Sequence, residues 1–192
     1  MVNKSDEGLD RAVSILKAGG VIIFPTDTVW GIGASVERLD GIRRLYQIKG
    51  REEGKPTAVL VNGVTIASSL GEINAVAQKL IKLYWPGGLS VVVKAKLKAP
   101  ALILGPEKSI ALRQPDHKLT LDLLGKLGTG LVASSANFSG LPAPLTREMI
   151  DAELIKRVDL VLAGECGGQR PSTVVDTTVE PPQVIRQGEV RI

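Results

Sequence analysis

The sequence predicts an α/β fold: a twisted sheet of mixed parallel and antiparallel strands with flanking helices. Three observations carry this. Short apolar runs rich in β-branched residues, such as Val21-Ile22-Ile23-Phe24, are continuous rather than alternating, as in strands buried on both faces. Between the early runs lie segments whose apolar residues recur every three or four positions, the period of a helix packed on one side. The later runs are separated by turns as well as by helices, so some neighbours are expected to be antiparallel.

Leu9, Ala12, Val13 and Leu16 place a first helix after a cap at Ser5 or Asp6, and Gly19-Gly20 stops it. The strand Val21 to Phe24 follows and ends at Pro25, which has no N–H to give to a ladder. Gly31-Ile32-Gly33 reads as a turn. Ile42, Leu45 and Tyr46 mark a second helix, Ala58 to Val61 a strand, and Ile73, Val76, Ala77, Leu80 and Ile81 another helix. Further strands are expected at Leu89 to Val93, Ile110 to Leu112, Leu131 to Ala133, Leu160 to Leu162, Val174 to Val175 and Val184 to Ile185. The Pro/Gly clusters at 85–88 and 140–144 are turn-sized, so residues 1–192 read as a single domain.

Composition narrows the function. Lys plus Arg number 24 and Asp plus Glu 20, a net charge of +4, a modest excess that fits an anionic ligand, a nucleic-acid surface or, most simply, a solvated exterior. Phe, Trp and Tyr number two each, too few for a platform that stacks successive bases. One cysteine, Cys166, forms no intrachain disulfide, and with a lone His117 there is little from which to build a metal site, so none is expected. The first nine residues carry Asp6 and Glu7 and no apolar run, unlike a secretory leader, and no stretch is long and apolar enough to span a membrane. A cytoplasmic location is expected.

Ligand sites in α/β folds open beyond strand ends, so polar clusters placed there are the candidates. Four qualify: Thr26-Asp27-Thr28, Ser109 to Arg113, Ser134 to Asn137, and Ser172-Thr173 with Asp176. A fifth, Lys49-Gly50-Arg51 with Lys55 nearby, follows a helix. It either clasps phosphates or sets cations against the helix dipole. No Ser-His-Asp or Cys-His pair stands out; His117 reads as a surface residue, and Cys166 reads equally as an inert thiol or as one with a role. Hydroxyls, an amide and cations point to positioning a nucleotide rather than to covalent catalysis, yet neither a phosphate-loop nor a dinucleotide fingerprint is present.

Taken in order, Phe24-Pro25-Thr26-Asp27-Thr28-Val29-Trp30-Gly31, Lys49-Gly50-Arg51, Trp85-Pro86-Gly87, Ala111 to Pro115, Ser135 to Gly140, Ser172 to Asp176 and Arg186-Gln187-Gly188 closely resemble the YrdC-like family of threonylcarbamoyl-AMP synthases, in its short form. The resemblance runs from about Gly19 to Gly188. It implies an open, concave, basic face on which Thr26, Arg113, Ser135 and Ser172 hold L-threonine. It also implies that Lys49, Arg51, Ser109, Ser135, Asn137 and Arg186 face ATP, with Lys49, Arg51, Ser135 and Asn137 catalytic. The implied reaction joins L-threonine, bicarbonate and ATP, with Mg²⁺ carried by the nucleotide and no protein nucleophile. Its product serves tRNA threonylcarbamoyl transferase proteins, and tRNA or double-stranded RNA is a further implied partner.

Asp27 and Trp30 stand where relatives more often have Glu and Tyr, Gln187 replaces a commoner proline, and Lys55 precedes Pro56 where a neutral or acidic residue is usual. Two rivals follow from the same residues: a double-stranded-RNA-binding or ribosome-assembly module, and a paralogue that activates another carbamoyl group. Alanine at Lys49 or Arg51 is expected to weaken ATP use and hardly change stability.

Overall fold

The structure, a computed structural model, describes residues 4–192, with side chains from residue 7 onward. Its strands are β1 (Ile22–Phe24), β2 (Gly31–Ser35), β3 (Ala58–Leu60), β4 (Gly71–Glu72), β5 (Leu89–Ala95), β6 (Ser109–Arg113), β7 (Leu131–Ser135), β8 (Leu160–Val161), β9 (Thr173–Asp176) and β10 (Gln183–Arg186). Its helices are α1 (Lys4–Lys17), α2 (Leu39–Lys49), α3 (Val64–Leu70), α4 (Ala75–Tyr84), α5 (Lys118–Leu127) and α6 (Ala152–Arg157).

All strands join one mixed sheet in the order β10-β9-β5-β6-β3-β7-β2-β1-β8, with β4 paired to β5 off this path. β1–β8, β3–β6 and β5–β9 are parallel and the other pairings antiparallel. The expected α/β fold with a mixed sheet is therefore present.

Alternation along the buried strands divides the core in two. Ile23, Val59, Val61, Ile110, Leu112 and Val132 point to one face, where they meet Ile42 and Leu45 of α2, Leu70 of α3, Ile81 of α4 and Leu154 of α6. Ile22, Phe24, Leu60 and Leu131 point to the other, packed against Leu9, Val13 and Leu16 of α1 and Leu123, Leu124 and Leu127 of α5. Only two long helices serve that second face. This is why β1 reads as a continuous apolar run: both of its faces lie in a core.

Most expected elements are found, with boundaries shifted by a residue or two. α1 ends where expected, with Gly19 at φ +87°. The cap expected at Ser5 or Asp6 falls on side chains outside the described residues. Residues 31–33 form a strand, not the expected turn. The reason is packing: a Cβ on Gly31 would lie 3.0 Å from the Phe24 ring, and one on Gly33 would lie 3.2 Å from it, so these glycines make room for an aromatic on the adjacent strand. α3, α5 and α6 add to the expected helices. α5 buries Thr120, Leu123, Leu124 and Leu127 at helical spacing, but extra leucines at 119 and 121 blur that period in sequence.

Candidate active site

Where α1 and α5 end, the second sheet face is left open. Phe24 and Leu60, at the margin of the core there, also line a cavity of ≈190 Å³. Strand register assembles its base, because paired residues share a face. Phe24 pairs with Gly31 and Gly31 with Ser135. Ala58 pairs with Ala133, and Leu60 with Arg113. Ser90 pairs with Val174, and Val174 with Arg186. Thr26, Thr28, Arg51 and Ser172 join the lining from the loops. Thr26, Arg113, Ser135 and Ser172, expected together around one ligand, thus lie around one cavity, with Arg51 and Arg186.

Arg113 is almost wholly buried at 5% exposure. Its Nε donates to the Gly87 carbonyl at 3.0 Å, Nη1 to Thr28 Oγ1 at 2.9 Å and Nη2 to Asp27 Oδ1 at 2.6 Å. Burial pushes the guanidinium pKa down, and the Asp27 carboxylate opposes that. Of the five N–H groups of a guanidinium, one on each terminal nitrogen is unused by these bonds, a pair suited to a carboxylate.

The hydroxyls of the 26–28 loop are ordered among themselves. Thr26 Oγ1 donates to the Val29 carbonyl at 2.7 Å and accepts from the Thr28 amide at 3.1 Å. With its proton committed to Val29, its 2.9 Å contact with Thr28 Oγ1 must be a bond it accepts. Across the cavity, Ser90 Oγ and Ser172 Oγ are 2.9 Å apart. Arg186 holds Ser172 from its other side, donating from Nε and Nη2 to its carbonyl and from Nη2 to its hydroxyl at 3.1 Å.

The Lys49-Gly50-Arg51 turn separates its two cations. Gly50, at φ 59°, closes α2 with its N–H on Gln47 O, while the Arg51 N–H reaches Tyr46 O. This paired bonding is a Schellman cap, which turns the chain sharply out of the helix axis. Arg51 thereby reaches the cavity lining, anchored by Nη2 to the Pro56 carbonyl at 2.9 Å. Lys49 goes inward instead: at 3% exposure its ammonium donates to the carbonyls of Ser135 and of Asn137, the latter at 2.6 Å. Its own carbonyl accepts from the Ser139 amide at 2.8 Å. Burial first, and the Arg51 charge second, bring its pKa down to about 8. A lysine so placed braces the 135–139 turn, so its loss is now expected to cost stability, where the sequence led to an expectation of hardly any change.

Asn137 and Ser109 also stand off the cavity lining. Asn137 Nδ2 donates to Phe138 O and Leu141 O, bracing the same turn. Ser109 opens β6 on the face that bears Arg113, four residues and about 13 Å of strand away. His117 caps no amide; its Nε2 lies 3.0 Å from Glu165 O. Burial, with the Asp27 charge adding, pushes the Cys166 thiol pKa up, which favours the protonated form.

Sequence reasoning assigned no role to Asp27, Thr28 or Ser90. Asp27 and Thr28 lay inside a cluster already singled out, so their neighbourhood was visible but their tie to Arg113 was not. Ser90 carried a fainter signal, a lone hydroxyl interrupting the apolar run 89–93.

A sequence profile of the Sua5/YciO/YrdC family, described as telomere recombination, matches residues 14–188. The chain belongs to the Sua5/YciO/YrdC family. Within that family it is 32% identical over 193 residues to the threonylcarbamoyl-AMP synthase of Bacillus subtilis (strain 168), covering 98% of this chain and 56% of that protein. It is 33% identical over 170 residues to the threonylcarbamoyl-AMP synthase of Xanthomonas campestris pv. campestris (strain B100), covering 87% and 91%. Among solved structures it superposes on P. abyssi Sua5 complexed with L-threonine at a TM-score of 0.89 and 30% identity, over 94% of this chain and 54% of that one. The chain therefore spans little more than half the length of the Bacillus and P. abyssi proteins. Its fold is the one this family shares.

Proposed function

We propose that this chain is a nucleotidyltransferase that makes threonylcarbamoyl-AMP and pyrophosphate from L-threonine, bicarbonate and ATP, for threonylcarbamoyladenosine in tRNA. The observation that carries this reading is the composition of one cavity: a buried Arg113 with two N–H groups to spare, neutral hydroxyls around it, and Arg51 and Arg186 in the same lining. The names of the Bacillus and Xanthomonas relatives, and the L-threonine in the P. abyssi complex, support the same substrate.

In this reading Arg113 pairs the threonine carboxylate, and Arg51 and Arg186 meet the phosphates. The cavity is smaller than ordinary ligand pockets of ~300–1,000 Å³, so the nucleotide extends along the open face toward Ser109. Bicarbonate carboxylates the threonine nitrogen with loss of water. A carbamate oxygen then attacks the α-phosphorus, and the bond to the β-phosphate breaks to release pyrophosphate. Alignment and charge neutralisation suffice, and no side chain needs to act as nucleophile. Ser135, which lines the cavity and whose hydroxyl makes no hydrogen bond among the described residues, would contact both substrates in this reading. Lys49 and Asn137 act by holding the Ser135 turn.

Among the described residues no group of three or more His, Cys, Asp or Glu stands together as a metal site. Mg²⁺ bound to the ATP phosphates would supply further neutralisation of their charge. No helix among the described residues is long and apolar enough to cross a membrane. We place the reaction in the cytoplasm, with tRNA threonylcarbamoyl transferase proteins consuming the product.

The test is pyrophosphate release with ATP, bicarbonate and each amino acid in turn. Threonine should lead, serine should be the nearest competitor, and valine should fall behind by up to ~10⁴-fold. Release that ignores threonine would refute the reading. Steeply salt-sensitive binding of double-stranded RNA without ATP turnover would favour the RNA-binding module instead.

A further inference from the structure

We propose that the substrate's hydroxyl is read by the Ser90–Ser172 pair, and that Ser90 is the residue that sets the preference for a hydroxyl-bearing amino acid. This rests on the threonine reading above.

The argument counts protons and lone pairs, since a hydroxyl has one donor and two acceptor positions. Thr26 has none left. Its proton goes to Val29 O, and its lone pairs accept from the Thr28 amide and the Thr28 hydroxyl. Thr28 spends its proton on Thr26 and one lone pair on Arg113, which leaves a single acceptor position. That position suits the substrate nitrogen, a donor, and offers nothing to the lone pairs of a substrate hydroxyl.

The serine pair is different. Together the two hydroxyls hold two protons and four lone pairs. Their mutual bond uses one of each, and Arg186 uses one further lone pair on Ser172. One proton and two lone pairs remain, whichever serine donates. A substrate hydroxyl, itself donor and acceptor, is matched by a partner that keeps both functions; the unbonded Ser135 hydroxyl keeps them too, but it stands on β7, two strands from Arg113, whereas Ser90 stands on the neighbouring strand.

Position agrees with this count. The antiparallel register Val91↔Leu112 sets Ser90 directly across from Arg113, on the face that lines the cavity. Cross-strand neighbours have Cβ atoms about 4.5–5.5 Å apart. An amino acid whose carboxylate sits on Arg113 has the Ser90 hydroxyl in the lining of the same cavity. Ser90 is 1% exposed and borne on a central strand, with its hydroxyl oriented by Ser172.

Calorimetric binding of L-threonine and of L-α-aminobutyrate, which has hydrogen in place of the hydroxyl, tests this. The unmodified protein should favour threonine by about 100-fold or more. In Ser90→Ala that ratio should fall at least about tenfold, with aminobutyrate affinity nearly unchanged. Ser90→Cys, similar in volume and a poor donor, should show the same fall if the alanine variant does not fold. In Thr26→Val both affinities should drop together and the ratio should hold. A ratio preserved in the Ser90 variants, or lost in Thr26→Val alone, overturns the proposal while leaving threonine binding intact. An unmodified protein that binds no threonine would instead remove the functional reading, and this inference with it.

Discussion

The Arg113 guanidinium donates to the Asp27 carboxylate across 2.6 Å, with their side chains only 6% and 14% exposed. The charge that the site presents to a substrate is thus already half answered by the protein. Removing one partner of a buried pair strands the other, at about 3–5 kcal/mol. Asp27→Asn keeps an acceptor for Arg113, so a loss of about 3 kcal/mol is expected, a fall in Tm of roughly 6–12 °C for a chain of this size. Saturating L-threonine should restore more stability to the variant than to the unmodified protein, because its carboxylate replaces the missing charge. Thermal melts with and without threonine check both; an unchanged Tm would mean that Asp27 is dispensable to the site.

Lys49 gives a pH signature. Its folded pKa of about 8 lies below the 10.5 of an unhindered lysine, so between these values the unfolded chain binds more protons. Stability should rise with pH through that window, as the buried ammonium is discharged, by on the order of 3 kcal/mol at most. Lys49→Met should lack this rise, making the variant's deficit larger at pH 10 than at pH 7. Urea unfolding of both proteins across pH 7 to 10.5 measures it; parallel curves would contradict the buried charge.

Arg51 should separate function from stability. It is half-buried and spends one bond on Pro56 O. Arg51→Ala should weaken ATP use by the ~1.5–3 kcal/mol of a lost charge-assisted bond, about 10- to 150-fold, with little change in Tm. Lys49→Ala should lower both. Pyrophosphate release against ATP concentration, beside a melt of each variant, distinguishes the two cations; equal Tm losses would return Arg51 to a structural role.

The paired glycines of β2 make a packing prediction. On Gly33 a Cβ would meet the Val132 carbonyl at 2.5 Å, a backbone atom that cannot swing away. Gly33→Ala should cost about 1–3 kcal/mol. On Gly31 the obstacle is the Phe24 ring at 3.0 Å, and that ring lines the cavity. Gly31→Ala should therefore weaken threonine binding more than its stability loss explains. Denaturation and calorimetry on the two variants read this, and a Gly31→Ala protein with normal affinity would show that the ring can yield elsewhere.

The sequence by itself determined the fold class, most of the strands and the neighbourhood of the site. Strands such as 22–24, and 91–93 within β5, advertise themselves because burial on both faces forces a continuous apolar run rich in β-branched residues, a local signal. Thr26, Arg113, Ser135 and Ser172 were legible because each sits at or beside a strand end, where ligand sites in such folds open. The partnerships were not legible. Asp27 meets Arg113 across 86 positions and Ser90 meets Ser172 across 82, and such pairings follow from strand order and register, which no local pattern encodes. The same holds for Lys49 and Arg51: neighbours in sequence and alike in charge, they are sent to different environments by a left-handed glycine between them. Which cation braces a turn and which lines the cavity was decided only when the sheet had closed around them, because hydrogen-bond capacity is spent on whatever the fold brings near.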